Sequence, residues 1–498
     1  MDDPQWKAPT EDGQILIWPP PDQILEQTGR NNRLLSEAKS PIQGVALSAL
    51  RQRQRQWLGH ERADRPIIAT GHQSELYHPG VWAKNILIDL VAQRLGGDGV
   101  HVAVDSDEPK HLNVRWPGGS EPLTDDPQLS TAAWSGLLEG PTPAYLDHIE
   151  GHLRRSAQGW GFASTMMIWP FLQSMRKLAM ESAGLSAGLI NAMHQLDWEL
   201  GLKHHALAAS PVWESAPYLL FVHHLMAMAG EFATQYNGAL ADYRTREGIA
   251  NPGRPMPDLK LESQRCESPF WVDDMKSGLR RRAMLQWERD RWVLHHDGNE
   301  FAFDPHKAGW SAADELIDWL RAARVRLSPR ALMLTTYLRL MVADQFVHGI
   351  GGGMYDRVAD DLIVRTFGIE PPKFAVTTAT LHFPLAVGRS RACLPCIRQE
   401  GHRLRHGVLG EEKMEMVRKI DELPRKSMER SALFSAMHRR LDESARNEEI
   451  VRWEERYRQA QVADVEDQDI FNRELFYALQ PRDRLEALIG KYQQTFAF

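Results

Sequence analysis

The stretch from residue 67 to 116 constrains the fold more than any other part of the chain. A short apolar run, Ile67-Ile68-Ala69, turns at once into Gly71-His72-Gln73, and residues 81–95 then carry apolar side chains at helical spacing up to Gly96-Gly97. Val100-His101-Val102-Ala103-Val104 follows, a β-branched run closed by Asp105-Ser106-Asp107 and Lys110. Strand, loop, helix, strand is one βαβ unit, because parallel strands need a crossover of this kind. The expectation is an α/β fold around a parallel sheet. Ligands of open α/β sheets bind beyond the carboxyl ends of the strands. His72, Gln73, Asp105 and Asp107 fall at those two ends.

Composition narrows the class of partner. The 498 residues allow two to four structural units, and 43% hydrophobic with 25% charged residues suits a soluble globular chain with a large core. A formal net charge of −7 gives no reason to expect nucleic acid, and the basic run Arg51 to Arg55 reads as a solvated helix face. No apolar run approaches the ~20 residues that span a bilayer, so no membrane is expected. The start, Met1-Asp2-Asp3-Pro4, lacks the charged-then-apolar pattern of a secretory leader. Three cysteines cannot close a disulfide framework. These features together predict a cytoplasmic, reduced protein.

Taken in order, residues 1–64 read as an irregular proline-rich arm, to about residue 30, and a helix over 33–57. Residues 65–216 form the first part of the sheet domain, with helices over 145–155, 170–184 and 185–207. A long apolar helix over 217–246 opens a connecting region, 217–306. There the alternation in Trp271-Val272, residues 281–287 and Trp292-Val293-Leu294 predicts a small antiparallel sheet. Residues 307–385 return to the opening style, with a helix over 311–323 capped by Ser311 and a second over 335–349. A glycine run, a helix over 355–367 and a strand over 374–378 follow; this segment and 65–120 should share one parallel sheet. Residues 386–498 are charged and helical. The segment 427–459 reads as one exposed helix, suited to a helical hairpin or to a coiled coil between two copies. The last helices are expected to fold back on the body.

Three constellations carry polar chemistry. Gly71, His72 and Gln73 follow a strand and open a helix, whose N-terminal amides and dipole suit a phosphate or carboxylate; a tight turn with a capping histidine is the alternative. Asp105 and Asp107, with Lys110 and His111 behind them, offer a Mg²⁺ site, an ammonium site or an acid–base pair, against the alternative of a solvated turn. His348-Gly349-Ile350-Gly351-Gly352-Gly353, with Tyr355, Asp356 and Asp360 after it, is the densest glycine site, where backbone can approach a ligand closely. Cys393, Cys396, His402 and His406 include zinc-ligand types, but their spacing is short for a zinc finger, and free thiols are the expected state.

At these residues the chain resembles the bacillithiol-biosynthesis cysteine-adding enzymes, ligases that join cysteine to glucosaminyl malate. The resemblance rests on Gly71-His72-Gln73, Pro79-Gly80 and Lys84, then Asp105-Ser106-Asp107 with Asn113, then Gly349 to Asp356. It covers most of residues 65–380 and weakly the helical tail. It departs from the family at His72, at Ser106 and at Asp356, which stands where the family has Glu. The resemblance implies a Rossmann-like core, connecting-peptide elements, a coiled-coil extension used in dimers, and an ADP site separate from the main crevice.

Two readings follow. In the first the chain is an ATP-dependent ligase-like enzyme that forms an amide between an amino acid and a sugar-conjugate amine. Its catalytic set is His72, Asp105, Asp107 and His348. Gly71, Gln73, Lys84, Asn113, Gly351, Gly352, Tyr355 and Asp356 bind substrate or nucleotide, ATP or ADP is the cofactor with Mg²⁺, and no protein-bound metal is expected. In the second the chain is a catalytically inactive nucleotide- or metabolite-binding or assembly protein of the same fold. Convergence of His72, Asp105, Asp107 and His348 on one pocket favours the first.

Overall fold

The computed structural model describes residues 5–497 apart from 61, 63–64, 182, 390–392 and 445–447, so Met1-Asp2-Asp3-Pro4 lies outside the described residues. The chain divides into two units, residues 1–381 with 473–498, and residues 382–472.

The first unit opens with β1 (Ile15–Trp18), α1 (Pro21–Ser36), a minimal hairpin β2 (Pro41–Ile42) and β3 (Val45–Ala46), and α2 (Leu47–Trp57). The expected βαβ element follows as β4 (Ile67–Gln73), α3 (Pro79–Leu95) and β5 (Asp98–Val104). Next come the short pair β6 (Asn113–Trp116) and β7 (Gly119–Pro122), then α4 (Pro143–Ser156), α5 (Ile168–Met180), α6 (Leu185–Glu199) and β8 (His205–Ala208). Helices α7 (Ala216–Ala227) and α8 (Ala229–Glu247) lead to β9 (Arg265–Asp274), β10 (Arg280–Glu288), β11 (Arg291–His296) and β12 (Asn299–Phe303). The unit continues through α9 (Trp310–Ala323), β13 (Val325–Pro329), α10 (Ala331–Tyr337), β14 (Gln345–His348), α11 (Ile350–Phe367) and β15 (Phe374–Ala379).

Two sheets result. The larger has the order β1-β15-β14-β4-β5-β8, in which every pairing is parallel except that of β1 with β15. The fold is thus mixed α/β with a mainly parallel sheet, and segments 65–120 and 327–380 do share it. After the edge strand β1, the parallel strands start at the centre with β4, move outward through β5 to β8, and later return on the other side of β4 with β14 and β15. Strand order therefore reverses between β4 and β14. The smaller sheet is antiparallel, β12-β11-β10-β9-β13, as the alternation over 269–303 predicts, with β13 added from the segment after α9.

Several elements differ from expectation for local reasons. The segment 185–207 holds a helix and then the edge strand β8, because the chain turns at Gly201, whose φ is +87°. The apolar helix over 217–246 breaks at Met228, φ −110° and ψ 30°, into α7 and α8. Residues 335–349 leave helix through a π-turn at Leu338–Val342 and become the buried strand β14. The arm contributes an edge strand, since Ile15–Trp18 pairs with β15. Gly309, at φ +79°, precedes α9, which has no side-chain cap from Ser311. The glycine run lies inside the first turns of α11 rather than in a loop.

Two arginines of the basic run on α2 are turned inward, while Arg53 is exposed as expected. Arg51 and Arg55 are buried and hold Asp344, whose Oδ1 accepts from Arg51 Nη2 at 2.6 Å and Asn32 Nδ2 at 2.9 Å. Asp344 Oδ2 accepts from Arg55 Nη1 at 2.9 Å and from the Ile67 amide at 2.8 Å. This carboxylate ties the start of β4, the approach to β14 and α2 together. Burial pulls the Arg51 guanidinium down to about 10 against the pull of Asp344.

The second unit is helical: α12 (Leu394–Gly407), α13 (Gly410–Glu422), α14 (Met428–Ser444) and α15 (Glu448–Ile470). The segment 427–459 is thus two helices, and residues 445–447 between them lie outside the described residues. Ile420, Met437 and Leu441 form a small core, and Trp453 Nε1 donates to the Ile397 carbonyl at 2.6 Å. Cys393 and Cys396 are joined as a disulfide at the start of α12, where free thiols were expected. The chain then re-enters the first unit, and α16 (Arg482–Thr495) packs there, so the helical unit ends at Asn472 rather than 498. Among the described residues no helix is long and apolar enough to cross a membrane.

Candidate functional site

A cavity of about 860 Å³ opens beyond the carboxyl ends of β4 and β14, at the reversal of strand order. Open α/β sheets bind ligands at such points, because the flanking crossovers leave in opposite directions and part there. Gly71, His72, Gln73 and Lys84 reach it from the first βαβ unit, Ser106 and Asp107 from the end of β5, and His348, Gly351, Gly352 and Tyr355 from β14 and α11.

Lys84 is the most unusual group in this wall. It stands on α3 and is 3% exposed, with Nζ donating to the Gly71 carbonyl at 2.8 Å. Burial brings its amine down to about 7, and Glu75 only partly opposes this. Glu75 is itself buried and is pushed up to about 7 by burial, with His111 and Lys84 pulling the other way. His72 Nε2 lies 2.6 Å from Glu75 Oε1, and burial, then Lys84, hold the imidazole well below its usual range. The result is a neutral histidine hydrogen-bonded to a carboxyl group that changes charge near neutrality. Lys84, Glu75 and His72 thus group three titratable side chains shifted by burial, a grouping common where general acid–base chemistry occurs.

The capping histidine of α3 is His78 rather than His72. Its Nδ1 accepts from the Gly80 amide at 3.0 Å, and burial brings it down to about 3, so it is neutral. Gly80 is needed here, because an added Cβ would lie 2.6 Å from Thr378 Oγ1 and 2.7 Å from Arg473 Nη2. Arg473 Nη2 is held by Thr378 Oγ1 and the Ala379 carbonyl, each at 3.1 Å. A guanidinium thus stands over the N-terminus of α3, an arrangement that favours an anion.

On the other wall, His348 ends β14 and its Nε2 lies 2.9 Å from Asp356 Oδ2. Asp356 also accepts from Thr335 Oγ1 at 2.6 Å and Arg339 Nη1 at 2.5 Å. Burial alone would raise this carboxyl group, but Arg339 and His348 hold it far below the usual carboxylate range. Asp356 is therefore the residue that orients His348, and it does not itself line the cavity. Gly349 caps α11 with no side chain bonded to the first-turn amides, and an added Cβ at Gly349 or Gly351 would meet nothing within 4 Å. This leaves the backbone of that turn open to a ligand. Gly353 instead admits Val376 and Trp6, which an added Cβ would approach to 2.6 and 3.0 Å.

Besides Asp356, two more expected residues lie elsewhere. Asp105 turns away from the cavity: its Oδ1 accepts from the Ser210 amide at 2.8 Å and its Oδ2 from the Ser210 hydroxyl. That pairing anchors the turn after β8 to the end of β5. Asn113 is exposed on β6 and lines a separate, shallower cavity with Lys110 and His111. Asp107 does reach the main cavity and accepts from Gln73 Nε2 at 3.0 Å. Three of the four residues chosen as catalytic therefore converge. His78, Arg330, Arg473 and Glu474 line the cavity as well, and Glu75 stands behind His72. Arg473 lies nearly four hundred positions beyond the start of α3, so no local pattern points to it, whereas Glu75 stands three residues after His72.

Replacing Asp105 by Ala is expected to lower stability by about 1–3 kcal/mol, since it removes a buried carboxylate that holds the part-buried Ser210 amide and hydroxyl, while leaving ligand affinity within twofold or so. Paired urea melts and binding titrations of that variant check both parts.

The chain matches no protein-family model, and no curated protein is significantly similar to it.

Proposed function

We propose that this chain is an ATP-dependent ligase-like enzyme on a Rossmann-like sheet, joining a cysteine-like amino acid to the amine of a sugar conjugate. The observation that carries the reading is the convergence of separate resemblance-bearing segments, at Gly71–Gln73, Lys84, Asp107 and Gly349–Gly352, on one cavity that His348 also lines. A catalytically inactive relic has no need of that convergence, nor of an amine brought near neutrality at its centre. The parallel strand order, 3-2-1-4-5 when β4, β5, β8, β14 and β15 are numbered in turn, supports the Rossmann-like description. A cavity of about 860 Å³ has room for an acid and an amine together, and holding both is a large part of the catalytic task.

On this reading the open first turn of α11 and Gly351 hold nucleotide phosphates. Bound ATP supplies the activation of the carboxylate. The α3 N-terminus and Arg473 take the carboxylate of the acid. Asp107, positioned by Gln73, takes the ammonium group or a Mg²⁺ ion, and Lys84 accepts the proton that the amine must lose before it attacks. The helical unit carries exposed Phe434, Val462 and Val465, which suit pairing of two copies.

The test is to supply ATP and Mg²⁺ with cysteine and an amino-sugar conjugate, and to follow amide product by mass spectrometry together with nucleotide consumption. Product that requires both substrates and the nucleotide is expected. Absence of product and of nucleotide consumption across a panel of amino acids and amines would sink the reading.

A further inference from the structure

We propose that Asp274, His296 and Asp297 form a binding site for one divalent transition-metal ion of the Zn²⁺ class, at the edge of the antiparallel sheet. The argument is independent of the ligase reading. β9 ends at Asp274, β11 ends at His296, and Asp297 begins the turn into β12. Because β9, β10 and β11 alternate in direction, the β9–β10 turn and the β11–β12 turn lie at the same end of the sheet.

The donors are arranged around a gap. His296 is 5% exposed, and its Nε2 stands beyond hydrogen-bond reach of both neighbouring carboxylates. Its Nε2 faces Asp274 Oδ2 at 4.0 Å and Asp297 Oδ2 at 3.7 Å, and all three donor atoms lie within 4.8 Å of one another. Those distances exceed hydrogen-bond reach. They are close to the separation of roughly 3.3–3.6 Å between donors that each sit about 2.0–2.2 Å from a tetrahedral ion. A buried imidazole aimed at two carboxylate oxygens, and bonded to neither, is the feature that points to an ion between them.

The supporting contacts fit the same assignment. Asp274 Oδ1 accepts from the amides of Lys276 at 2.8 Å and Ser277 at 3.1 Å, the Ser277 hydroxyl also bonds the carboxylate, and Oδ2 stands 4.0 Å from His296 Nε2. Such outer contacts orient metal-ligating carboxylates. Asp297 adopts φ 47°, a left-handed turn position, and its side chain is exposed, so the site has an opening for entry and for a water ligand. The competing cation is Arg281, whose Nη2 lies 3.5 Å from the other oxygen of Asp297. On the opposite face of β11 a second group, Glu288, His295 and Glu300, differs in the decisive respect: His295 is already bonded to Glu288 at 2.8 Å. An ion at the first site would tie the two turns together. It would also brace the sheet end where Arg280 donates to the Ser106 carbonyl beside the main cavity.

The experiment is calorimetric titration of the tag-free full-length chain with Zn²⁺ in the absence of reductant, so that Cys393 and Cys396 stay paired. One equivalent is expected to bind at this site, with affinity falling at least about tenfold in His296→Gln and in Asp297→Asn and unchanged in His295→Gln. Asp297 is exposed, so its variant keeps the fold even if the His296 variant does not. No stoichiometric binding, binding unaffected by Asp297→Asn, or an equal loss in His295→Gln would each overturn the assignment.

Discussion

Asp344→Ala is expected to destabilise the first unit by about 3–5 kcal/mol, the largest stability effect of any single substitution proposed for this chain. The carboxylate has no exposed side-chain surface, and the Arg51 and Arg55 side chains beside it are 4% and 6% exposed. Removing it leaves two buried guanidinium groups facing each other and strands the Ile67 amide at the start of β4. Each loss is costly because the freed donors are out of reach of water. The contrast is Arg30→Ala, which breaks an ion pair with side chains 60% and 45% exposed, where about 0–1 kcal/mol is expected. Urea unfolding of the two variants measures the difference. If Asp344→Ala shifts the midpoint no more than Arg30→Ala, the cluster is not the anchor described.

Lys84→Met is expected to work in opposite directions on stability and activity. Methionine fills a similar volume without a charge to desolvate, so the variant should be more stable than the parent at neutral pH by about 1–3 kcal/mol. An unfolded lysine keeps its proton up to about 10.5 and the folded one gives it up at about 7. Between those values the unfolded chain carries the extra proton, so this group makes stability rise with pH across that window; below about 7 its full burial cost applies. Glu75 has the opposite sign: its folded carboxyl holds a proton up to about 7 against an ordinary 4.5, so its contribution falls as pH rises between them. Activity should drop by about 10²–10⁴-fold in Lys84→Met, the range for loss of a general base. The parent rate should rise with pH through about 7 as Lys84 becomes neutral. A variant that is both less stable and still active would remove Lys84 from the site.

Part of the fold was legible because it rests on local pattern. The β-branched run at Val100–Val104 and the apolar run at Ile67–Ala69 needed burial on both faces, and a helix of the right length lay between them. Period-two alternation likewise marked the antiparallel strands. Patterns misled where a tertiary partner overrode them. Residues 335–349 have helical spacing, yet the π-turn at Leu338–Val342 releases the chain into β14, where Phe346 and Val347 bond to β4 and β15. Arg51 and Arg55 read as solvated because nothing nearby in sequence neutralises them; their counter-charge is nearly three hundred residues away. Asp105 and Asp107 looked equivalent at a strand end. The Ser210 turn captured the first, and the second was left facing the cavity.

By itself the sequence determined the βαβ unit, the parallel sheet joining residues 65–120 and 327–380, the small antiparallel sheet, and the strand ends that carry His72, Gln73 and Asp107. These follow from periodicity and from strand ends, which are properties of neighbouring residues. Only the tertiary structure decided which polar groups became unusual. Lys84 sits near neutrality because the walls around it exclude water, and His348 is oriented because Asp356 is locked by Arg339. Arg473 stands over α3 because the chain returns to the first unit after the helical one. Desolvation and long-range pairing depend on what surrounds a side chain on every side, and no window of sequence contains that.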